Sequence, residues 1–337
     1  MTVAALIIIL ALVLIGPLLF ESIEHNIDIF FLVAGVLAAL VSGVFGWELI
    51  HEALSTPVAL TLAVLVFGAI VKVSRNLTER WFESLIRRYS IKMVTVTLIV
   101  VLGLIASLIT AVIAALVLVE VISLMKLERR SEIRIVVLAC FAIGLGAALT
   151  PVGEPLSTIA TASLHADFWY LARLLGPIVL TGILIVAIVG LLLPIHRSHT
   201  AVDAVSTQGW SDIAIRAGRV YIFVAGLVAL SAGMRPVVDL YIKDLPIAVL
   251  FWLNGISAVV DNATLAAAEV GPALTLLQQR SILMGLLISG GMLIPGNIPN
   301  IVAANRLGIG SREWARTGLV VGLPLMALCF VVLEFIL

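Results

Sequence analysis

The sequence predicts an all-α polytopic membrane protein, and three observations carry that prediction. Of the 337 residues, 62% are hydrophobic and 12% are charged, whereas a soluble domain is roughly 45–50% apolar. Apolar runs close to the ~20 residues that a helix needs to cross a bilayer recur along the whole chain. Two of those runs carry paired prolines. The formal net charge is zero, so the composition points to the lipid bilayer as a partner and argues against nucleic acid.

Basic residues indicate how the runs cross the membrane. The run Met93–Met125 is apolar over 33 residues and has basic segments at both ends, and basic loops stay in the cytoplasm. We therefore expect this run to enter the membrane and return as a re-entrant hairpin. Tracing the later runs in the same way places 16 of the 20 Lys and Arg residues on the cytoplasmic side. A second hairpin then enters from the opposite face, which is the inverted repeat of alternating-access carriers.

The prediction divides the chain into N-terminal helices and two repeats, each with a re-entrant hairpin and a broken transmembrane helix. The expected ranges are N-terminal helices at 1–56, a first repeat at 57–195 with an interfacial helix at 75–90, a hairpin at 93–125 and a broken helix at 133–165, a cytoplasmic linker at 196–212, and a second repeat at 213–337 with a hairpin at 245–278 and a broken helix at 281–305. We expect an integral protein of a prokaryotic inner membrane.

Each expected broken helix contains two prolines at the same spacing. Pro151 and Pro155 lie in LTPVGEPLST, and Pro295 and Pro299 lie in LIPGNIPN, 144 residues later. A proline removes a backbone donor and disturbs the preceding turn, so both helices should open there. Open backbone at membrane depth persists only where it is buried in protein or lines a cavity. The two segments therefore predict the binding site of a transporter.

Polar residues mark the expected hairpin tips. NGISAVVDNATLAAAE places Asp261 at the second tip, and a charged aspartate at membrane depth costs about 2.5–3.5 kcal/mol unless it is paired, which marks it as functional. The first tip has Ser107 and Thr110 but no acid. These hydroxyls have a simpler interpretation, because Ser and Thr in membrane helices also bond a carbonyl one turn back. Glu120 and Glu269 are expected at the membrane surface, where the hairpins re-emerge.

Together these motifs resemble the ion transporter superfamily, which includes divalent-anion/sodium symporters, citrate carriers, arsenite pumps and NhaD-type sodium/proton antiporters. LIPGNIPNIVAAN is similar to the Pro-Pro-Asn break of the divalent-anion symporters, whereas LTPVGEPLST and SAVVDNATLAAA resemble segments of the NhaD type. Dicarboxylate symporters carry Ser-Asn-Thr at both tips, but here the second tip reads Asp261, Asn262, Ala263. A carboxylate repels an anion and attracts a cation, so the resemblance favours a small cation-transporter branch. The resemblance also implies a homodimer.

The predicted function is a sodium/proton antiporter that works by alternating access, with Na+ and H+ as its ions and no cofactor. A carboxylate that binds sodium in one state and a proton in the other couples the two ions, and we place it at Asp261 first and Glu154 second. Glu154 has an alternative role as the cap of a half-helix that begins at Pro155.

The alternative function is a sodium-coupled symporter of a small organic or inorganic anion. No HExxH or G-x-S-x-G motif is present, so an enzyme is not expected. The predicted binding residues are Asp261, Asn262, Thr264, Ser257, Asn297 and Asn300 in the second site and Glu154, Thr150, Ser157, Thr158, Ser107 and Thr110 in the first, with sodium at Asp261, Asn262 and Glu154.

Overall fold

The protein is an all-α membrane protein. The computed structural model describes residues 2–20, 22–23, 26–58, 61–62, 65–66, 69–70, 72, 89–197, 210–241, 246–259, 262–271 and 274–335, and within these ranges it contains no strand. Four described helices are long and apolar enough to cross a membrane, at Ile91–Ile109, Tyr170–Leu192, Ile213–Val237 and Ser311–Glu334. The helices whose two ends the structure describes are α1 Thr2–Leu19, α2 Ile27–Ser42, α3 Ile91–Ile109, α4 Ala111–Met125, α5 Arg129–Ala147, α6 Pro155–Ser163, α7 Tyr170–Leu192, α8 Trp210–Tyr241, α9 Ile247–Leu253, α10 Asn262–Glu269, α11 Leu276–Gly290, α12 Ile298–Leu307 and α13 Ser311–Phe335, with 3-10 turns at Asn254–Ala258 and Ile294–Gly296.

The N-terminal part of the chain packs closely on α8. A Cβ on Gly35 of α2 would lie 2.3 Å from Gly226 O of α8, and a Cβ on Gly233 would lie 2.6 Å from the carbonyl carbon of Ala38. Small residues let membrane helices bring their backbones together. Gly43, with φ 75°, ends α2 in the left-handed conformation that glycine adopts most easily. The glycines therefore join the N-terminal helices to the second half of the chain.

The first half contains the expected helix pair and the expected interruption. The predicted hairpin at 93–125 corresponds to α3 and α4, which contact each other and are separated by Thr110 alone. Thr110 has φ 74°, and its Oγ1 accepts from Ile113 N to cap α4. The helix expected at 133–165 is interrupted, because α5 ends at Ala147, residues 148–154 are not helical and α6 begins at Pro155.

The second half repeats this order with one shifted boundary. The predicted hairpin at 245–278 contains α9, a 3-10 turn and α10, but a capping box between Thr275 and Gln278 starts α11 at Leu276, inside the range assigned to the hairpin. The helix expected at 281–305 is interrupted between α11 and α12. Most of the predicted interfacial helix at 75–90 and of the linker at 196–212 lies outside the described residues.

The two halves are interleaved. Helix α4 of the first half packs against α12 of the second, and α10 of the second half packs against α6 of the first. At the start of α5, Arg129 donates to Leu307 O at 2.9 Å and to Glu313 Oε2 at 2.6 Å. At the start of α7, Tyr170 OH donates to Gln279 Oε1 at 2.6 Å. The interruptions therefore lie in a core that both halves build.

Candidate functional site

The first interruption is held against the tip of the α3–α4 pair. Thr150 Oγ1 donates to Ser107 O at 2.5 Å, and Ala111 N, at the start of α4, donates to Gly153 O at 2.9 Å. The hydroxyl of Ser107 bonds Leu104 O in its own helix at 3.3 Å. Of the two predicted site residues, Thr150 therefore connects the interruption to α3 through its side chain, while Ser107 offers its backbone carbonyl.

Side chains at the start of α6 also bond backbone groups of the first interruption. Glu154 and Ser157, which are 6% and 0% exposed, form a capping box. Ser157 Oγ donates to Glu154 O at 2.7 Å. Thr158 is exposed, and its Oγ1 donates to Pro151 O. An interrupted helix leaves carbonyls and amides without intrahelical partners, and the predicted first-site hydroxyls satisfy several of them.

Asn300 closes the second interruption and presents an oxygen inside it. Its Nδ2 donates to Gly290 O, at the end of α11, at 2.9 Å and to Leu293 O at 2.8 Å. Only the nitrogen of an asparagine amide can donate, so these two bonds fix the orientation of the side chain. Asn300 is 0% exposed, and its Oδ1 has no hydrogen-bond partner among the described residues. The interruption thus contains a buried acceptor whose direction is set by the backbone.

Asn262 and Asn297 lie at the same interruption. A Cβ on Gly290 would be 3.5 Å from Asn262 Nδ2, and a Cβ on Gly144 would be 2.4 Å from Asn297 Nδ2. Both nitrogens are buried and make no hydrogen bond within the part of the chain that the structure describes. Gly144 belongs to α5, so Asn297 reaches across from one half to the other. Buried polar atoms are nearly always paired, and three such atoms from predicted site residues are concentrated here.

The other predicted second-site residues have different surroundings. Ser257 is fully buried, with its Oγ 2.5 Å from Ser289 Oγ and 3.2 Å from Leu286 O, so it holds a 3-10 turn against α11. Thr264 lies on α10, but its side chain is outside the described part of the structure. Asp261, the first candidate for the exchanging carboxylate, lies outside the described residues altogether.

Sequence reasoning missed a buried polar group centred on Asn254. Its Nδ2 donates to Glu269 Oε2 at 3.1 Å, and its backbone oxygen accepts from Ser289 Oγ at 2.7 Å. Glu269, which we expected at the membrane surface, has a side chain that is 9% exposed and buried between helices. The available sequence signal for this group was the presence of polar residues inside apolar runs. The sequence alone did not indicate that residues 254, 269 and 289 meet.

A cavity of about 650 Å³ lies beside the second interruption. Ile294 of the 3-10 turn and Ile301 of α12 line it, together with parts of α2, α8 and α13. Arg219 Nε lies 4.0 Å from Asp28 Oδ2 within this lining. The cavity connects the interruption to a region rich in charge. Its charged lining residues are Asp28, Arg219, Arg312, Glu313 and Arg316.

Comparison with known proteins places the whole site inside one family match. The model of a family described as "Protein of unknown function (DUF1646)" matches residues 3–336. No curated protein matches the chain. Both interruptions and both helix pairs lie within the matched region.

Proposed function

We propose that this protein, which belongs to the DUF1646 family of proteins of unknown function, is a secondary active ion transporter of the sodium/proton antiporter type. In this proposal the two helix pairs are re-entrant hairpins, and the interrupted helices are the broken transmembrane helices of an inverted repeat. The contacts of α4 with α12 and of α10 with α6 support a repeat, because a pseudo-twofold axis would relate them. The proposal includes kinship with the ion transporter superfamily.

The observation that carries the proposal is the buried acceptor oxygen of Asn300. Leaving such an atom without a partner is costly, and the two bonds of its Nδ2 prevent the amide from turning away. Hard cations take oxygen ligands, and broken helices of carriers supply them from unwound backbone. A sodium ion at Asn300 Oδ1 would satisfy the oxygen, at the same interruption where Asn262 and Asn297 lie.

The two interruptions differ in a way that favours the second as the ion site. Leu156 lies 144 residues before Asn300, which is the spacing that relates the prolines, and it is fully buried. The hydroxyls of Thr150 and Ser157 already bond backbone oxygens. We therefore assign sodium to the second interruption, with Asp261 as a carboxylate ligand of the ion and Glu154 as the cap of α6.

One observation favours the second candidate function, a sodium-coupled symporter of a small anion. Asn262 Nδ2 and Asn297 Nδ2 are buried donors without a hydrogen-bond partner in the described structure. Amide donors of this kind bind carboxylate or oxo-anion oxygens. A cation at Asn300 with an anion at the two donors would make the same interruption a co-transport site.

Thermal stability in detergent separates the two functions. The purified protein is melted with sodium or with potassium at the same ionic strength, from acid to alkaline pH, with and without candidate anions. Antiport predicts that sodium alone stabilises the protein, more so as pH rises, and that Asp261→Asn removes the effect. Stabilisation that requires an anion would favour symport. Proteoliposomes with an imposed sodium gradient and an internal pH dye then test exchange, and the absence of both sodium and proton movement would refute the antiporter.

A further inference from the structure

We infer that Glu269 is a proton-binding residue, and that the proton it holds is the one exchanged for sodium. This inference rests on the antiport proposed above and adds a site that is separate from the cluster of asparagines. It starts from the buried carboxyl group of Glu269 at the end of α10 and from the polar contacts that join this carboxyl to the second interruption.

The surroundings of Glu269 suit a carboxyl that gains and loses a proton. The residue is 9% exposed, and Asn254 Nδ2 donates to its Oε2 at 3.1 Å. Its Oε1 is buried and has no hydrogen-bond partner among the residues that the structure describes. Glu269 is also the last residue of α10, where the carbonyl end of the helix disfavours negative charge. A proton on Oε1 removes the charge that this position disfavours.

Among the described residues, no Lys or Arg on the elements that pack against α10 forms an ion pair with the Glu269 carboxyl group. These elements are α6, α8, α11 and the 3-10 turn 254–258. Helix α6 and the 3-10 turn carry no titratable side chain. The only charged residue of α11 is Arg280, whose Nε donates to Leu174 O of α7. The charged residues of α8 are Asp212, Arg216, Arg219, Arg235 and Asp239. Arg235 is exposed, and Arg219 lies by Asp28, while the side chains of Asp212, Arg216 and Asp239 are outside the described part of the structure.

A chain of hydrogen bonds links Glu269 to the second interruption. Asn254 bonds the carboxyl through its side chain and accepts from Ser289 Oγ at 2.7 Å through its backbone oxygen. Ser289 immediately precedes Gly290, whose carbonyl oxygen accepts from Asn300. A change in the charge of Glu269 can therefore act on the geometry of the interruption through a short series of contacts. Through these contacts, the protonation of Glu269 is coupled to ion binding at the second interruption.

The exchange step conserves charge and protons. When sodium has left, the Glu269 carboxylate takes a proton from water on one side of the membrane and becomes a neutral acid. After the protein opens to the other side, the O–H bond breaks, the proton passes to water, and the carboxylate retains the electron pair. The sodium ion that then binds at the interruption balances the negative charge that remains on Glu269.

Proteoliposomes that contain the full chain test this inference through two measurements. Proton release driven by an inward sodium gradient reports coupling, and exchange of radioactive sodium with unlabelled sodium at equal concentrations reports sodium transport alone. We expect Glu269→Gln to lose proton release while it keeps sodium self-exchange, and to lose the pH dependence of that self-exchange. The glutamine keeps an oxygen for Asn254 but cannot ionise in this range.

Two variants keep the test decisive. Glu120→Gln changes the carboxyl of the first helix pair and should leave both measurements at the wild-type level. Glu269→Asp retains an ionisable group, so it should release protons with a shifted pH profile even if Glu269→Gln does not fold. Proton release by Glu269→Gln with the wild-type pH profile would overturn the inference and leave the antiport proposal intact. Wild-type protein that moves sodium without protons would instead refute the antiport on which the inference rests.

Discussion

Replacing Asn300 with alanine is the most direct test of how the second interruption is built. In the native protein, Asn300 Nδ2 donates to Gly290 O at 2.9 Å and to Leu293 O at 2.8 Å, and the side chain is completely buried. Alanine keeps the helix propensity of α12 and removes both donors together with Oδ1. The substitution therefore leaves two carbonyl groups of the interruption without the side chain that bonds them.

The expected loss of stability in Asn300→Ala follows from the number of hydrogen bonds that the substitution removes. Each buried acceptor that loses its partner costs about 1–3 kcal/mol. Two of them give a loss of roughly 2–6 kcal/mol in the free energy of unfolding if both carbonyls stay buried. If Oδ1 also binds sodium, the variant loses the ligand contribution, which is about 2.7 kcal/mol when sodium is at a hundred times its dissociation constant.

Thermal melting in detergent measures the loss of the hydrogen bonds when sodium is absent, and the loss of sodium binding when sodium is added. Asn305→Ala is the matched control, because Asn305 is a half-buried asparagine in the same helix. We expect Asn300→Ala to melt well below the wild type and to show no sodium-dependent shift, whereas Asn305→Ala keeps that shift. Equal melting temperatures for the two variants would refute the structural role of Asn300. A sodium shift that survives Asn300→Ala would refute its role as a ligand.

Gly146→Ala places a Cβ 1.6 Å from a backbone oxygen of α3 and should destabilise the protein by about 1–3 kcal/mol or more. Gly176→Ala meets nothing within 4 Å, so the same melting assay should show no loss, and equal losses would contradict the packing. Thr150→Val removes the donor that holds the first interruption to α3 and should destabilise the interruption by about 1–3 kcal/mol. Hydrogen exchange should then show faster exchange of the amides at 148–154, and an unchanged rate would contradict the role of Thr150. Arg129→Ala should lower stability by about 1–3 kcal/mol because it breaks contacts between the halves. Exposed Arg130→Ala should stay within about 0.5 kcal/mol of wild type, and a matching loss there would exclude a specific role for Arg129.

Local chemistry explains why the interruptions could be predicted. Pro155 and the pair Pro295 and Pro299 lack backbone donors, and the paired spacing was the useful signal, because α7, α8 and α13 each continue through a single internal proline. Glu154 was also recognisable as a possible cap, because an acid just before a proline that begins a helix has a favourable position in any fold. The first helix pair could be predicted for a similar reason, since it is encoded by one continuous apolar run, whereas the range assigned to the second pair contains several polar residues and includes the start of α11.

The contacts between distant segments could not be predicted. Asn300 stood out as a polar residue in an apolar run, but its orientation depends on the carbonyls of Gly290 and Leu293. Glu269 looked like a surface residue because a glutamate near the end of an apolar run is usually solvated. In the structure it bonds Asn254, which lies 15 residues earlier on the other side of the helix pair.

The sequence by itself determined the membrane class, the positions of the helix interruptions and most of the asparagines that gather there, because hydropathy and proline chemistry act over a few neighbouring residues. Only the tertiary structure decided that Asn297 faces Gly144 across the two halves, that Asn300 directs its oxygen inward, and that Glu269 is buried. The physical reason is that a polar atom is satisfied or left without a partner by the helices packed around it, and that packing joins segments far apart in the chain.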